Sequence, residues 1–240
     1  MKDIDSAEEL AKEMIEIGKL ANRETVCVLT NMEEPLGHAV GNSLEVVEAL
    51  KFLKGDMPED LKQVVLELGA YMMKLAGEGD NIEENKEKLL ENILNKKAYN
   101  KFLELVKNQG GDISYIENTD KFPKAKYIEP IFAKTSGYIC EIDAKEIGKL
   151  ACYLGAGRIK KEDEIDSSVG IILNKKVSES VIENEILGYV YGNDINKTKE
   201  VVNRIGEVIK INKQQPSKIP TIIKIIINWY FQQKTFENCY

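Results

Sequence analysis

Residues 31–48 read Asn31-Met32-Glu33-Glu34-Pro35-Leu36-Gly37-His38-Ala39-Val40-Gly41-Asn42-Ser43-Leu44-Glu45-Val46-Val47-Glu48, a loop that turns into a helix. The strand before it, Thr25 to Thr30, is β-branched and apolar on both faces. That pattern belongs to a strand covered on both sides in an α/β sheet. Pro35 stiffens the loop, Gly37 and Gly41 permit backbone angles that other residues resist, and Asn42 with Glu45 three positions later forms a capping-box-like start. A helix is therefore expected from near Ser43. On it Glu45 and Glu48, spaced i, i+3, share a face beside the loop carbonyls. Oxygen ligands of this kind suit a hard cation or an ordered water cluster.

The run Pro35 to Val46 resembles the PLG-x-A-V-G-N-x-L-E-V signature of the pyrimidine-nucleoside phosphorylase and thymidine phosphorylase family. The resemblance extends from Met1 to about Thr221. It includes Ala7-Glu8-Glu9-Leu10-Ala11, Ile17-Gly18-Lys19, Gln109-Gly110-Gly111-Asp112, Leu154-Gly155-Ala156-Gly157-Arg158 and the stretch from Asp166 to Lys176. By this resemblance Met1 falls in the middle of the family's chain, so a carboxy-terminal half is expected.

The 240 residues are enough for one large or two modest domains with real cores. Hydrophobic residues make up 43% and charged residues 30%, an ordinary globular composition. A net charge of −7, with lysines interleaved among acids, argues against a nucleic-acid binder, because phosphate contact needs clustered cations. No apolar run approaches the roughly 20 residues that span a bilayer, and no basic start leads into an apolar core. The expected location is cytoplasmic, with no nucleic-acid or membrane partner. Cys27, Cys140, Cys152 and Cys239 show no CxxC spacing and no histidine ligand set, and read as buried or incidental thiols.

Along the chain, Ser6 and Glu9 read as a capping box for a first helix over 6–21, with an apolar stripe at Ala7, Leu10, Ala11, Met14, Ile17 and Ala21. Further helices are expected from Pro58 to Leu75, Ile82 to Leu94 and Ala98 to Lys107. The composition changes after Gly111. Tyr127 to Ala133, Gly137 to Ile142 and Val169 to Leu173 read as strands, with a helix from Ala144 to Leu154. The expected fold is thus α/β, a partial parallel sheet with flanking helices over 1–111, part of the α/β nucleoside phosphorylase domain by resemblance. A linker at 112–126, a smaller α+β, β-rich domain at 127–223 and an atypical tail at 224–240 with Trp229, Tyr230 and Phe231 follow. The run from Lys175 to Glu185 resembles the KKVGDxVxxGE turn of the family's carboxy-terminal domain, with Ser178 and Asn184 where the family has glycine. At positive φ such residues cost roughly 1 kcal/mol, less for Asn.

Phosphorolysis needs a cradle of donors for phosphate, groups that hold the departing base, and a geometry placing phosphate behind the anomeric carbon. The sequence offers no glycine-rich loop joined to Lys and Ser or Thr. Gly155-Ala156-Gly157-Arg158 follows a helix and reads as its C-terminal turn. No catalytic, substrate-binding or organic-cofactor residue is assigned. In the family those residues precede the point matching Met1. The resemblance does imply a partial potassium site, from the carbonyls of Leu36 and Ala39 and the Glu48 carboxylate, with the rest of the shell from the phosphate loop. By residue type alone, Glu48 is an ordinary surface helix glutamate. His38 is the only histidine, and with no Ser or Cys nucleophile and orienting acid beside it, it reads as a loop histidine.

The resemblance thus implies the carboxy-terminal half of an enzyme that converts a pyrimidine nucleoside and phosphate to free base and pentose 1-phosphate. The family is homodimeric. This chain is expected to be inactive alone, and to self-associate or need an amino-terminal half. A non-catalytic binding or scaffold protein that kept the fold is the alternative.

Overall fold

The computed structural model describes residues 3–158 and 160–227, so Trp229, Tyr230, Phe231 and Cys239 lie outside the described residues. The first helices and strands are α1 (Ile4–Leu20), β1 (Val26–Thr30), β2 (Ala39–Val40), α2 (Asn42–Leu53), α3 (Glu59–Leu75), α4 (Ile82–Leu94), α5 (Lys97–Asn108) and the short α6 (Ser114–Glu117). There follow β3 (Tyr127–Phe132), β4 (Gly137–Ile142), α7 (Ala144–Ala151), β5 (Gly170–Leu173), β6 (Ser180–Val181), β7 (Ile186–Gly192), α8 (Ile195–Val208), β8 (Ile209–Asn212) and β9 (Ile222–Ile227). The described residues form two units, one of 3–31, 62–90 and 219–227, the other from 32–61 and 91–218.

In the first unit β1 pairs antiparallel with β9, Val26 opposite Ile227 and Leu29 opposite Lys224. The expected partial parallel sheet is not present among the described residues, where every strand pair is antiparallel. The physical reason lies in β1. Its run of Val, Cys, Val and Leu reads as a strand buried on both faces, yet in a two-stranded ribbon only Leu29 is buried. Lys224 to Ile227, assigned to the tail by sequence, continue β9. Asp3, rather than Ser6 with Glu9, starts α1, its carboxylate accepting the Ser6 N–H at 2.7 Å. Ala11, Ile15 and Gly18 are the buried residues of α1, while Leu10, Met14 and Ile17 of the expected stripe are exposed. Gly69 of α3 has no room for a side chain, since a Cβ there would lie 2.7 Å from Leu89 Cδ1 of α4.

The second unit holds a four-stranded sheet in the order β2-β5-β7-β3 and a three-stranded sheet in the order β6-β4-β8. Their inward residues, among them Ile131, Ile139, Ile171 and Val190, share one core with Ile147 and Leu150 of α7 and Val201 and Ile205 of α8. α8 packs on β3 and β7, and its N-cap Asp194 accepts the N–H groups of Asn196 and Lys197 at 2.8 and 3.0 Å. Ser178 and Asn184 do adopt positive φ, 78° and 67°, the angles for which the resembling turn uses glycine. The Ser178 hydroxyl offsets part of the strain by donating to Pro216 O at 3.1 Å.

Gly188 sits in β7 between Ile131 of β3 and Leu173 of β5, where a Cβ would collide with the Ile172 carbonyl. Backbone cannot yield as a side chain can, so Gly188→Ala is expected to cost about 3 kcal/mol, the upper end for overpacking. Urea denaturation checks this. A midpoint equal to wild type would show that the sheet opens freely there.

Candidate functional site

The loop quoted above lies in the second unit and is tied at its end to the four-stranded sheet. Ala39 pairs with Ile172 and Val40 with Ile171, and Leu173 N–H donates to His38 O at 2.9 Å. Gly41 and Gly170 cross here with their Cα atoms so close that a Cβ on either would meet the other strand's backbone. α2 then begins at Asn42, one residue before the expected Ser43, and not by the expected cap. Gly41 is the N-cap residue, with no side chain to offer, and Glu45 reaches back to accept the Gly41 N–H at 2.9 Å. Asn42 donates its amide to Ala156 O at 2.8 Å instead.

Glu48 is drawn onto the loop. Its Oε1 accepts the His38 N–H at 2.7 Å, and its Oε2 lies 3.4 Å from the Ala39 nitrogen. The space it occupies exists because residue 37 is glycine. A Cβ on Gly37, which sits at φ 67°, would collide with the Glu48 carboxylate. The carboxylate is therefore seated on the segment that carries the Leu36 and Ala39 carbonyls, and each of its oxygens keeps a lone pair beyond the amide contact. One carboxylate with neutral carbonyls suits a monovalent ion. The donor set thus fits the potassium half-shell that the resemblance implies. The same glutamate lines a cavity of about 450 Å³ with His38, Lys51, Asp56 and Asn174 on its polar side. His38 donates from Nδ1 to Leu173 O, 2.7 Å away, which makes it a structural tie of the loop and fixes its tautomer.

Two residues to which the sequence reading gave no role at the site complete the loop's surroundings. Lys176, 8% exposed, extends its ammonium to the Asp60 carboxylate at 2.8 Å and to the Pro35 carbonyl. Asp60 Oδ2 also accepts the Gly37 N–H at 3.1 Å, and Oδ1 the Leu61 N–H at 2.8 Å in the first turn of α3. Burial alone would raise the Asp60 carboxyl, but the Lys176 hydrogen bond and charge, with the two amides, outweigh it and hold it below its ordinary value. Glu34 is half-buried and accepts the Val177 N–H at 3.0 Å. The thiols of Cys27, Cys140 and Cys152 are free and partly buried, and burial raises that of Cys27. Gly155, at φ 115°, lies within the turn that closes α7, and its carbonyl accepts the Asp166 N–H at 2.9 Å.

Residues 138–212 match the family described as Pyrimidine nucleoside phosphorylase C-terminal domain. The whole chain is similar to proteins named Pyrimidine-nucleoside phosphorylase. It is 45% identical to that of Bacillus subtilis over 227 residues, 95% of this chain and 52% of the relative. With those of Staphylococcus haemolyticus and Staphylococcus epidermidis the identity is 43% and 42%, at the same coverage. The chain spans about half the length of the curated relatives it matches.

The buried pair gives a pH test. A carboxyl whose folded pKa is depressed contributes stability that is present above its unfolded pKa, near ~3.9, and is lost as the pH falls through the folded value. Asp60→Asn leaves Lys176 buried without its counter-charge, a loss of about 3–5 kcal/mol at neutral pH. The gap between wild type and Asp60→Asn should narrow as the pH falls below about 4. Urea midpoints from neutral to acid pH measure it, and a gap independent of pH would refute the pairing.

Proposed function

We propose, on the premise that the chain corresponds to the carboxy-terminal half of the pyrimidine-nucleoside phosphorylase family, that it furnishes the cation side of a phosphorolysis site. The reaction is that of a pyrimidine nucleoside, uridine or thymidine, with phosphate to give the free base and a pentose 1-phosphate. The observation that carries the reading is the seat of Glu48, whose carboxylate grips the loop between Gly37 and Ala39 instead of extending into solvent. Leu36 and Ala39 through their carbonyls, and Glu48 through its carboxylate, would hold potassium. Bound there, the ion supplies fixed positive charge beside the phosphate without a proton to gain or lose. The protein's own part is positional. Glu48 is oriented by two amides before any ligand arrives, so little reorganisation accompanies binding.

The phosphate and base contacts come from another segment in this reading, as the resemblance implies. Association with an amino-terminal half, or with a second copy as in a homodimer, follows from it. The exposed Leu10, Met14 and Ile17 of α1, with Leu68 and Met72 of α3, support association. No helix among the described residues is long and apolar enough to cross a membrane, which is compatible with a cytoplasmic enzyme. A non-catalytic scaffold that kept the fold is the second reading.

The purified 240-residue chain should show no phosphorolysis of uridine or thymidine. Clear turnover free of host enzyme would overturn the division of the site. Mixed with an amino-terminal half of a relative, it should gain potassium-activated turnover, and Glu48→Gln should weaken the activation while the fold survives. Glu45→Gln is the control, since Glu45 serves Gly41 and its loss should cost about 1 kcal/mol of helix stability without changing the potassium response. An equal potassium dependence in wild type and Glu48→Gln would return Glu48 to an ordinary helix surface. A complex that forms without turnover would favour the scaffold.

A further inference from the structure

The two peptide units on either side of Leu36 are each held by one end of the same buried ion pair. Lys176 takes the Pro35 carbonyl, which belongs to the peptide unit preceding Leu36. Asp60 takes the Gly37 N–H at 3.1 Å, which belongs to the unit following it. The Lys176 ammonium and Asp60 carboxylate close on each other at 2.8 Å, with side-chain exposures of only 10% and 15%. In a trans peptide the N–H and C=O point in opposite directions, and no cis peptide occurs among the described residues. The Gly37 N–H is directed at Asp60, so the Leu36 carbonyl of that unit is turned away from Asp60.

We infer that Lys176 and Asp60 form a positioning clamp, which fixes the direction of the Leu36 carbonyl and the seat of the loop against Glu48. This inference rests on the cation reading of the loop given above. Neither residue touches the proposed ion. Lys176 neutralises Asp60, so the carboxylate can remain ionised and buried where the Gly37 amide needs it. It also occupies the Pro35 carbonyl, leaving that oxygen committed to the ammonium. The loop's own residues do not supply this restraint. Leu36 itself is 42% exposed, and Gly37, at φ 67°, adds conformational freedom in place of rigidity. A second tie from the same segment after β5, Val177 N–H to Glu34 at 3.0 Å, fastens the loop one residue earlier. The clamp therefore joins three segments distant in sequence, the loop, the start of α3 and the turn after β5, at the point where the ligand carbonyl must be aimed.

Amide hydrogen exchange on the full chain tests the inference without relying on turnover. The reporters are the His38 and Ala39 amides, which are held by Glu48 and touched by neither clamp residue. In Lys176→Met they should exchange about tenfold faster, the factor that a loss of ~1.4 kcal/mol of local protection gives, while Val190 in β7 is unchanged. In the complex with an amino-terminal half of a relative, which completes the shell, potassium chloride, compared with equimolar tetramethylammonium chloride, should slow these two amides in wild type and not in the variant. Should Lys176→Met fail to fold for want of a partner for Asp60, Asp60→Asn with Lys176→Met removes both charges while keeping an oxygen for Gly37, and the same loosening is expected. Unchanged exchange at His38 and Ala39 in a folded variant overturns the clamp. Loosening in the variant, with no potassium effect in wild type, upholds the clamp and overturns the cation reading.

Discussion

A lysine left only 8% exposed must be answered by a charge, and Lys176 is answered by Asp60 across 116 positions of sequence. The rest of the site follows from this constraint. Burial of Lys176, with Asp60 partly buried beside it, penalises any arrangement in which the loop, the start of α3 and the turn after β5 drift apart, because separation strands a charge. Such a pair adds little net stability over an apolar packing of the same shape, but it is specific in geometry. Its ends fall on the Pro35 carbonyl and the Gly37 amide, so that specificity is delivered to the backbone of Leu36.

The helices were the legible part of the fold. α4 begins and ends where its periodicity puts it, and α2 starts one residue from its expected position. The strands were legible as strands and not as sheets. Hydrophobic pattern reports how many faces of a strand are covered, and direction of pairing leaves no local trace. β1 shows the consequence, since its unbroken apolar run suggested a parallel sheet and its actual partner is antiparallel β9, at the far end of the chain. β2 has only two residues, too few to carry a period, although it forms the edge that ties the loop to β5. Local exceptions were readable where a residue type conflicts with a backbone angle. Ser178 and Asn184 at positive φ are such cases.

In the site, Glu48 could be named because the family resemblance implies it, and its spacing from the loop allowed the carboxylate to return to it. Asp60 and Lys176 could not. Each is an unremarkable charged residue in a polar stretch, one in a Pro-Glu-Asp helix start and the other in a Lys-Lys pair. Only the fold shows that Lys175 meets Glu185 at 2.7 Å, near the surface, while its neighbour turns inward to Asp60. Consecutive residues in an extended segment face opposite ways, so one lysine of any such pair is a candidate for burial, but the sequence does not say which or with whom.

Glu45 and Glu48 show how spacing and chemistry divide. At i, i+3 they share a helix face, and from sequence both were candidates for the same ligand. The two carboxylates stand one turn apart along α2, and the chain returns past them at different heights. Glu45 meets the Gly41 amide at the helix start, where a negative charge also complements the helix dipole. Glu48, a turn further on, overshoots the helix start and reaches the loop at His38 and Ala39. Gly37 then decides the matter, because only at a residue without a Cβ can the loop come close enough for both oxygens of Glu48 to be used. A helix-start role and a loop-holding role thus separate along one face, and the residue that separates them is a glycine in the loop.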